Sequence, residues 1–189
     1  MSTESPTQPP VIPPPVLPSE GEFGKFLKNK GISSTPLGND ADKVEMIELE
    51  IKDLVNACTL LKDSKEIDFN FLVLLTSTDT KKGYQSIYTL HSLNTKKSLR
   101  IKVTASKDNP TIPSVSHIWA TANWYERESF DMMGIVYTNH PNLKRILNPE
   151  NWEGFPLRKD YIPPVDLLNG PHPLTETGYA EKTLGKQTS

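Results

Sequence analysis

Apolar and polar positions alternate most cleanly over "SLRIKVTAS", with Leu99, Ile101 and Val103 on one side and Arg100, Lys102 and Thr104 on the other. A period of two predicts a half-buried strand. "YQSIYTLHSL" before it and "KVEMIELE" further upstream read the same way. "FNFLVLLTST" is more continuously apolar, which predicts a central strand. The short polar links "TDTKKG" and "NTKK" join three of these strands into an antiparallel meander. Helical spacing governs other stretches. "IKDLVNACTLLKDS" places Leu54, Cys58 and Leu61 on one face, and "EFGKFLKNKG" does so for Phe23, Phe26 and Leu27, with Gly31 as its stop. A polar loop containing Pro36 and Gly38 is expected between the first helix and the first strand. "KDNPTIPSVSHIWATANWYERESFDMMG" begins with two prolines and then predicts a long helix. Ser114 or Ser116 could cap it, Ile118, Ala122, Tyr125, Ser129 and Met132 share a face, and Gly134 ends it.

The order α-β-α-β-β-β-α implies an α+β fold, a small antiparallel sheet with helices mainly on one face. The expected organisation is a Pro-rich extended arm over 1–21, one α+β domain over 22–165, and an irregular tail over 166–189. Seven of the 17 prolines fall in the arm. They fix φ and remove donors, so the arm is either a loose leader or a strap laid along a neighbour through Val11, Ile12, Val16 and Leu17.

Composition narrows the function. The chain is 35% hydrophobic with a mean hydropathy of -0.48, so part of it is not expected to enter its own core. A net charge of -2 gives no basic field for nucleic acid. No apolar run reaches the ~18 to 20 residues of a membrane span, and no secretory leader is legible. Any membrane contact is therefore expected through a partner. Cys58, the single cysteine, reads as a small core residue, and one cysteine cannot frame an iron–sulfur cluster or thiolate zinc site. Phosphate-cradling glycine motifs and nucleophile signatures are absent. The four histidines are dispersed.

The chemically dense stretch is "WYERESFDMMGIVYTNHPNLKRIL". On a helix, Glu126 and Glu128 diverge by ~200° and cannot act as a carboxylate pair. Arg127 and Asp131, four apart, can pair along the helix; Glu128 and Asp131 repel unless a cation joins them. Acids spread among Trp124, Tyr125, Phe130, Met132 and Met133 suit a contact surface, or a solvated face opposite a buried one, better than a pocket.

These residues resemble the signature of the thirty-kilodalton subunit family of complex I. Its pattern is filled by Glu126, Arg127, Glu128, Asp131, Met132, Met133, His140, Lys144, Ile146 and Leu147 without departure. "PSVSHIWATANWYERE" and "GFPLRKDY" extend the similarity over roughly 40–165. "NPENWEGFPLRKDYIPP" is more similar to the cyanobacterial and plastid branch than to the respiratory one. The resemblance implies a cofactor-free subunit of a hydrophilic arm, beside the large hydrogenase-like quinone-site subunit and the two-cluster iron–sulfur subunit. Iron–sulfur clusters and quinone would reside in those partners. The complex would carry electrons from ferredoxin or NAD(P)H to plastoquinone at the thylakoid membrane, on its cytoplasmic or stromal side, coupled to proton translocation. Expected partner contacts are Glu126, Arg127, Glu128, Asp131, His140, Lys144, Arg145, Arg158 and Lys159. A respiratory or hydrogenase-type complex, or a stand-alone acid–base enzyme built on Glu126, Glu128, Asp131 and His140, are the alternatives.

Overall fold

In the computed structural model, residues 18–163 are described, so the arm up to residue 17 and the tail over 166–189 lie outside the described residues. The chain runs α1 (Glu22–Asn29), β1 (Ser34–Asn39), β2 (Glu45–Leu49), a 3-10 turn (Ile51–Asp53), α2 (Leu54–Asp63), β3 (Phe71–Asp79), β4 (Tyr84–His91), β5 (Ser98–Ala105), β6 (Thr111–Pro113), α3 (Ala122–Met133) and β7 (Val136–Thr138). This is an α+β fold.

Five strands form one sheet in the order β1-β2-β5-β4-β3. The expected meander is present: β3 pairs with β4 and β4 with β5, both antiparallel. The sheet is nonetheless mixed, because β2 runs parallel to β5, with Ile47 opposite Ile101. The crossover through α2 joins two strands of the same direction, β2 and β3, and a helix is the usual carrier of such a connection. Two other expectations change. The stretch with Pro36 and Gly38 is an edge strand, β1, whose register shifts between those two residues. Proline is tolerated at such an irregularity on a sheet edge. The apolar strand β3 is also an edge, not central; Phe71, Val73 and Leu74 stay substantially exposed. Its register shifts between Leu72 and Leu74, and the Tyr125 hydroxyl donates to the Val73 carbonyl at 3.2 Å.

The core lies on one face of the sheet. Every second residue of β4 and β5 is buried: Tyr84, Ser86, Tyr88 and Leu90, then Leu99, Ile101, Val103 and Ala105. Phe23 and Leu27 of α1, Leu54, Ala57, Cys58 and Leu61 of α2, and Ala122 and Met133 of α3 complete the cluster. The helix ends are satisfied from outside the helices. Glu45 of β2 accepts the amides of Phe23 at 3.1 Å and Gly24 at 2.9 Å, placing a carboxylate at the positive end of α1. At the other end the Ile32 amide reaches the Leu27 carbonyl and the Gly31 amide that of Lys28, a Schellman turn with Gly31 at φ 82°.

Cys58 is fully buried, and burial pushes its thiol well up from the ordinary range. A water-soluble disulfide reagent is expected to leave the native chain unlabelled and to titrate one thiol only after denaturation.

Candidate functional site

Helix α3 begins at Ala122, later than the sequence pattern predicts. Residues 111–113 form β6, which pairs parallel with β7, and Ser114 does not cap the helix. Instead Glu126 reaches back across the connection. The Ser114 Oγ donates to its Oε2 at 2.6 Å, and the Val115 amide to its Oε1 at 2.7 Å. The buried face of α3 is therefore Ala122, Glu126, Ser129 and Met133, with Tyr125 and Met132 only partly covered. Glu126 has 0% exposure. Burial pushes its carboxyl up to about 7, against the opposing pull of Ser114 and Val115.

His140 enters the same pocket from the segment after β7. Its Nε2 lies 3.9 Å from the Glu126 Oε2 and 3.1 Å from the Asn123 carbonyl, while its Nδ1 accepts the Asn142 amide at 3.0 Å. With Nδ1 accepting, Nε2 is placed to donate to the Asn123 carbonyl.

Asp131, also at 0% exposure, holds a different segment. Its Oδ2 accepts the amides of Ile146, Leu147 and Asn148 at 3.0, 2.7 and 2.9 Å. Its Oδ1 accepts Arg145 Nη1 at 2.7 Å and Asn148 Nδ2 at 3.0 Å. Burial opposes the ionised form, but these donors outweigh it and hold the carboxyl below its ordinary value. The helical pair of Arg127 with Asp131 expected from spacing does not form. Arg127 Nε donates to the Lys144 carbonyl at 3.1 Å and the guanidinium lies over Trp124, 4.9 Å from the ring centre.

The C-terminal end of α3 is covered by the chain that follows it. Gly134 leaves the helix at φ 72°, as expected of a left-handed stop. The Leu157 amide donates to the Met132 carbonyl, Arg158 Nε to that of Met133 at 2.8 Å, and Arg145 Nη1 to that of Asp131 at 3.1 Å. The Arg158 guanidinium is stacked against Phe155 and Tyr84, at 4.3 and 4.6 Å. A Cβ on Gly134 would collide with both Arg158 and Phe155. Nearby, the buried Asp79 at the end of β3 pairs with Lys107 at 2.7 Å and accepts the Lys159 amide at 2.9 Å. Lys107, with the Lys159 amide, holds that carboxyl below its ordinary value.

The expected partner contacts thus divide. Glu126 and Asp131 are closed inside the chain, with their oxygens taken by its own donors, and the His140 side chain is buried beside Glu126. They are not available to a partner on this geometry. Arg145 and Arg158 are half-buried and cap α3, so Arg158, expected to contact a partner, has its Nε and the face of its guanidinium engaged within the chain. Arg158→Lys keeps the charge but loses the planar stack and the Nε donor. It is expected to lower the stability of the free chain by about 1–2 kcal/mol, read from its denaturation midpoint. Lys144, Lys159 and Glu128 face outward. Glu128 has no hydrogen-bond or ion-pair partner among the described residues, and Trp124 beside it is 63% exposed. Sequence reasoning missed Asp79, Asn148 and the role of Ser114, which act through tertiary contacts that carry no local signal. Among the described residues, no group of three or more His, Cys, Asp or Glu converges on a possible metal position. No described helix is long and apolar enough to cross a membrane.

Solved structures similar to this fold include the following two. The trypsin-resistant fragment of Nqo5 matches with a TM-score of 0.54 at 23% identity, covering 63% of this chain and 95% of the fragment. A chain of the membrane-bound sulfane sulfur reductase, an archaeal respiratory membrane complex, matches with a TM-score of 0.62 at 17% identity, covering 87% and 92%. Among sequences, the NAD(P)H-quinone oxidoreductase subunit J, chloroplastic, of Staurastrum punctulatum is 41% identical over 151 residues, 77% of this chain and 88% of its own length. That of Citrus sinensis is 38% identical over the same share of this chain and 94% of its own length. The family described as the 30 Kd subunit of respiratory-chain NADH dehydrogenase matches residues 47–165. That match takes in Glu126, Asp131 and every segment those two carboxylates hold, and the chain belongs to this family.

Proposed function

We propose that the chain is a cofactor-free subunit in the hydrophilic arm of a photosynthetic complex I. It supplies architecture to a complex that passes electrons from ferredoxin or NAD(P)H, through iron–sulfur centres of other subunits, to plastoquinone with proton translocation. The observation that carries this reading is near full-length similarity, at about 40% identity, to subunits J of chloroplast NAD(P)H-quinone oxidoreductases. The geometry agrees with a structural role. A general acid or base must meet a substrate proton. Glu126 and Asp131 face only their own chain, while outward-facing Glu128, Trp124, Lys144 and Lys159 are free to meet a neighbour. Peripheral attachment on the cytoplasmic or stromal side of the thylakoid membrane follows from the same reading.

The test is native purification through a tag on this chain. The large hydrogenase-like quinone-site subunit and the two-cluster iron–sulfur subunit are expected to co-purify, while the chain expressed alone carries no stoichiometric iron or zinc. A respiratory or hydrogenase-type set of companions would redirect the reading. One equivalent of metal on the isolated chain would overturn it.

A further inference from the structure

One end of the sheet gathers cations, where Asp79 of β3, Tyr84 of β4 and Ala105 of β5 lie side by side. Lys81 and Lys82 stand exposed in the turn that joins β3 to β4. Lys107, just past β5, reaches the Asp79 carboxylate at 2.7 Å, and the Lys159 amide donates to the same side chain at 2.9 Å. The Arg158 guanidinium lies 4.6 Å from the ring centre of Tyr84, and the Lys107 Nζ lies 5.4 Å from it. Three segments far apart in sequence, 79–84, 105–109 and 157–161, thus bring five cations to one place.

We propose that this end of the sheet is a docking surface for an acidic segment of a neighbouring protein subunit, with Lys81, Lys82, Lys107, Arg158 and Lys159 as its contacts. The proposal rests on the reading of this chain as a subunit of a larger complex.

The charges of the three segments do not balance among themselves. Asp79 is 3% exposed, and Lys107 and the Lys159 amide already occupy it. Asp108 and Asp160 are the other acids of these segments, and both are exposed. Five cations therefore face three acids, in a chain whose net charge is -2. Lys81, Lys82, Arg158 and Lys159 form no ion pair among the described residues. Like charges held together repel, and an anionic partner relieves that repulsion.

The surface is also set in advance. The Thr80 amide and hydroxyl both donate to the Gly83 carbonyl, at 2.9 and 2.7 Å, and the Gly83 amide donates back to Thr80 Oγ1 at 3.2 Å. These bonds pin the turn that carries Lys81 and Lys82. Arg158 is fixed through its Nε on the Met133 carbonyl and by its stacking on Phe155. With its Nε and its face taken, the edge bearing the two Nη atoms remains to meet a ligand. A planar fork of that kind suits a carboxylate. Groups already held in place lose less freedom on binding.

The surroundings favour a protein over a lipid surface. Leu157, directly before Arg158, is 58% exposed, and Ile162 is 85% exposed. Apolar side chains beside a charged rim are the make-up of a protein interface. An anionic membrane is met by lysines along an amphipathic helix or a polybasic tract. Here the cations come from a pinned turn, a strand end and a fixed guanidinium.

The test compares two double variants of the tagged chain in native purification. Lys81→Glu with Lys82→Glu reverses two exposed charges of the surface. Lys25→Glu with Lys65→Glu reverses two exposed charges outside it, for the same change in net charge. Both are expected to keep the denaturation midpoint of the free chain. At about 0.15 M salt, recovery of the companion subunits should fall about tenfold or more for the first variant and stay at the wild-type level for the second. Equal recovery in the first variant, or an equal loss in the second, would overturn the proposal. A second arm mixes the purified chain with vesicles of phosphatidylserine and phosphatidylcholine. No binding that depends on Lys81 and Lys82 is expected, and such binding would assign the surface to lipid and overturn the proposal. The identity of the companions tests the proposed function, and their dependence on Lys81 and Lys82 tests this surface, so the two fail separately. A wild-type chain that retains no companion would overturn both.

Discussion

Asp131→Asn is expected to destabilise the free chain by about 3–5 kcal/mol, the range for breaking a buried charge pair by removing one partner. The substitution keeps the shape of the side chain, so volume does not confound it. An amide offers one acceptor oxygen where the carboxylate offers two. If that oxygen serves the amides of Ile146, Leu147 and Asn148, the new NH2 group points at Arg145 and Asn148 Nδ2. If the amide flips, the NH2 group points at the three backbone donors. Either way, buried donors face a donor. The charge of Arg145 is stranded as well, although its other nitrogen still reaches the Gly154 carbonyl. The pH dependence provides a second readout. Asp131 is held below its ordinary value, so its contribution is fully present above the unfolded value of about 3.9 and is lost as pH falls through the folded value. Wild type should lose stability steeply on acidification, and Asp131→Asn should lack that part of the slope. Equilibrium denaturation at pH 7 and at successively lower pH checks both. A near-neutral effect would mean that the segment 145–148 is held by something other than this carboxylate.

The second large effect is expected at Glu128, and it should appear in association instead of folding. In the free chain Glu128→Gln should change stability by less than about 0.5 kcal/mol, as for an exposed helix charge. Its neighbours on the same outward surface make an anchor: Trp124 is 63% exposed and stiffened by the Arg127 guanidinium lying over it. Large exposed aromatics beside an unpaired charge have the chemistry of an interface centre. With a cation of the neighbouring subunit meeting Glu128, removing the carboxylate strands that cation. The cost is roughly 2–5 kcal/mol, or about thirty- to several-thousand-fold in association. Recovery of the complex by native pull-down, set against the unchanged midpoint of the free subunit, measures it.

The parts of the fold legible in the sequence are those with local periodicity. The alternation over Leu99, Ile101 and Val103 predicts β5, and the spacing of Leu54, Cys58 and Leu61 predicts the buried face of α2. Gly134 is legible as a stop because only its backbone freedom suits the left-handed exit. Strand β1 was hidden by Pro36 and Gly38, which read as loop until a sheet edge accommodates them. Strands β6 and β7 have three residues each, too few to show a period. The apolar run of β3 suggested a strand covered on both faces, but its outward residues remain on an open face of this chain.

The site was legible as a motif and misleading as a surface. Charged residues are expected outside unless paired, so Glu126 and Asp131 read as contacts. Their partners, Ser114 and Val115 in one case and residues 145–148 in the other, lie 11 to 17 positions away. No helical spacing rule reaches that far. Part of the signature is thus a set of internal anchors, Glu126 for the approach to α3 and Asp131 for the segment leaving it, while Arg145 and Arg158, outside the signature, hold the helix end. Glu128 and Lys144 are the charged signature residues left facing fully outward.

The claim that this stretch holds and docks, and performs no chemistry, is tested most directly by quinone reduction per assembled complex in a Glu128→Gln strain. The account predicts a reduced yield of intact complex with near-normal turnover in each complex that forms. Full assembly with turnover slowed by about 10²- to 10⁴-fold, as loss of a general base would give, would contradict it.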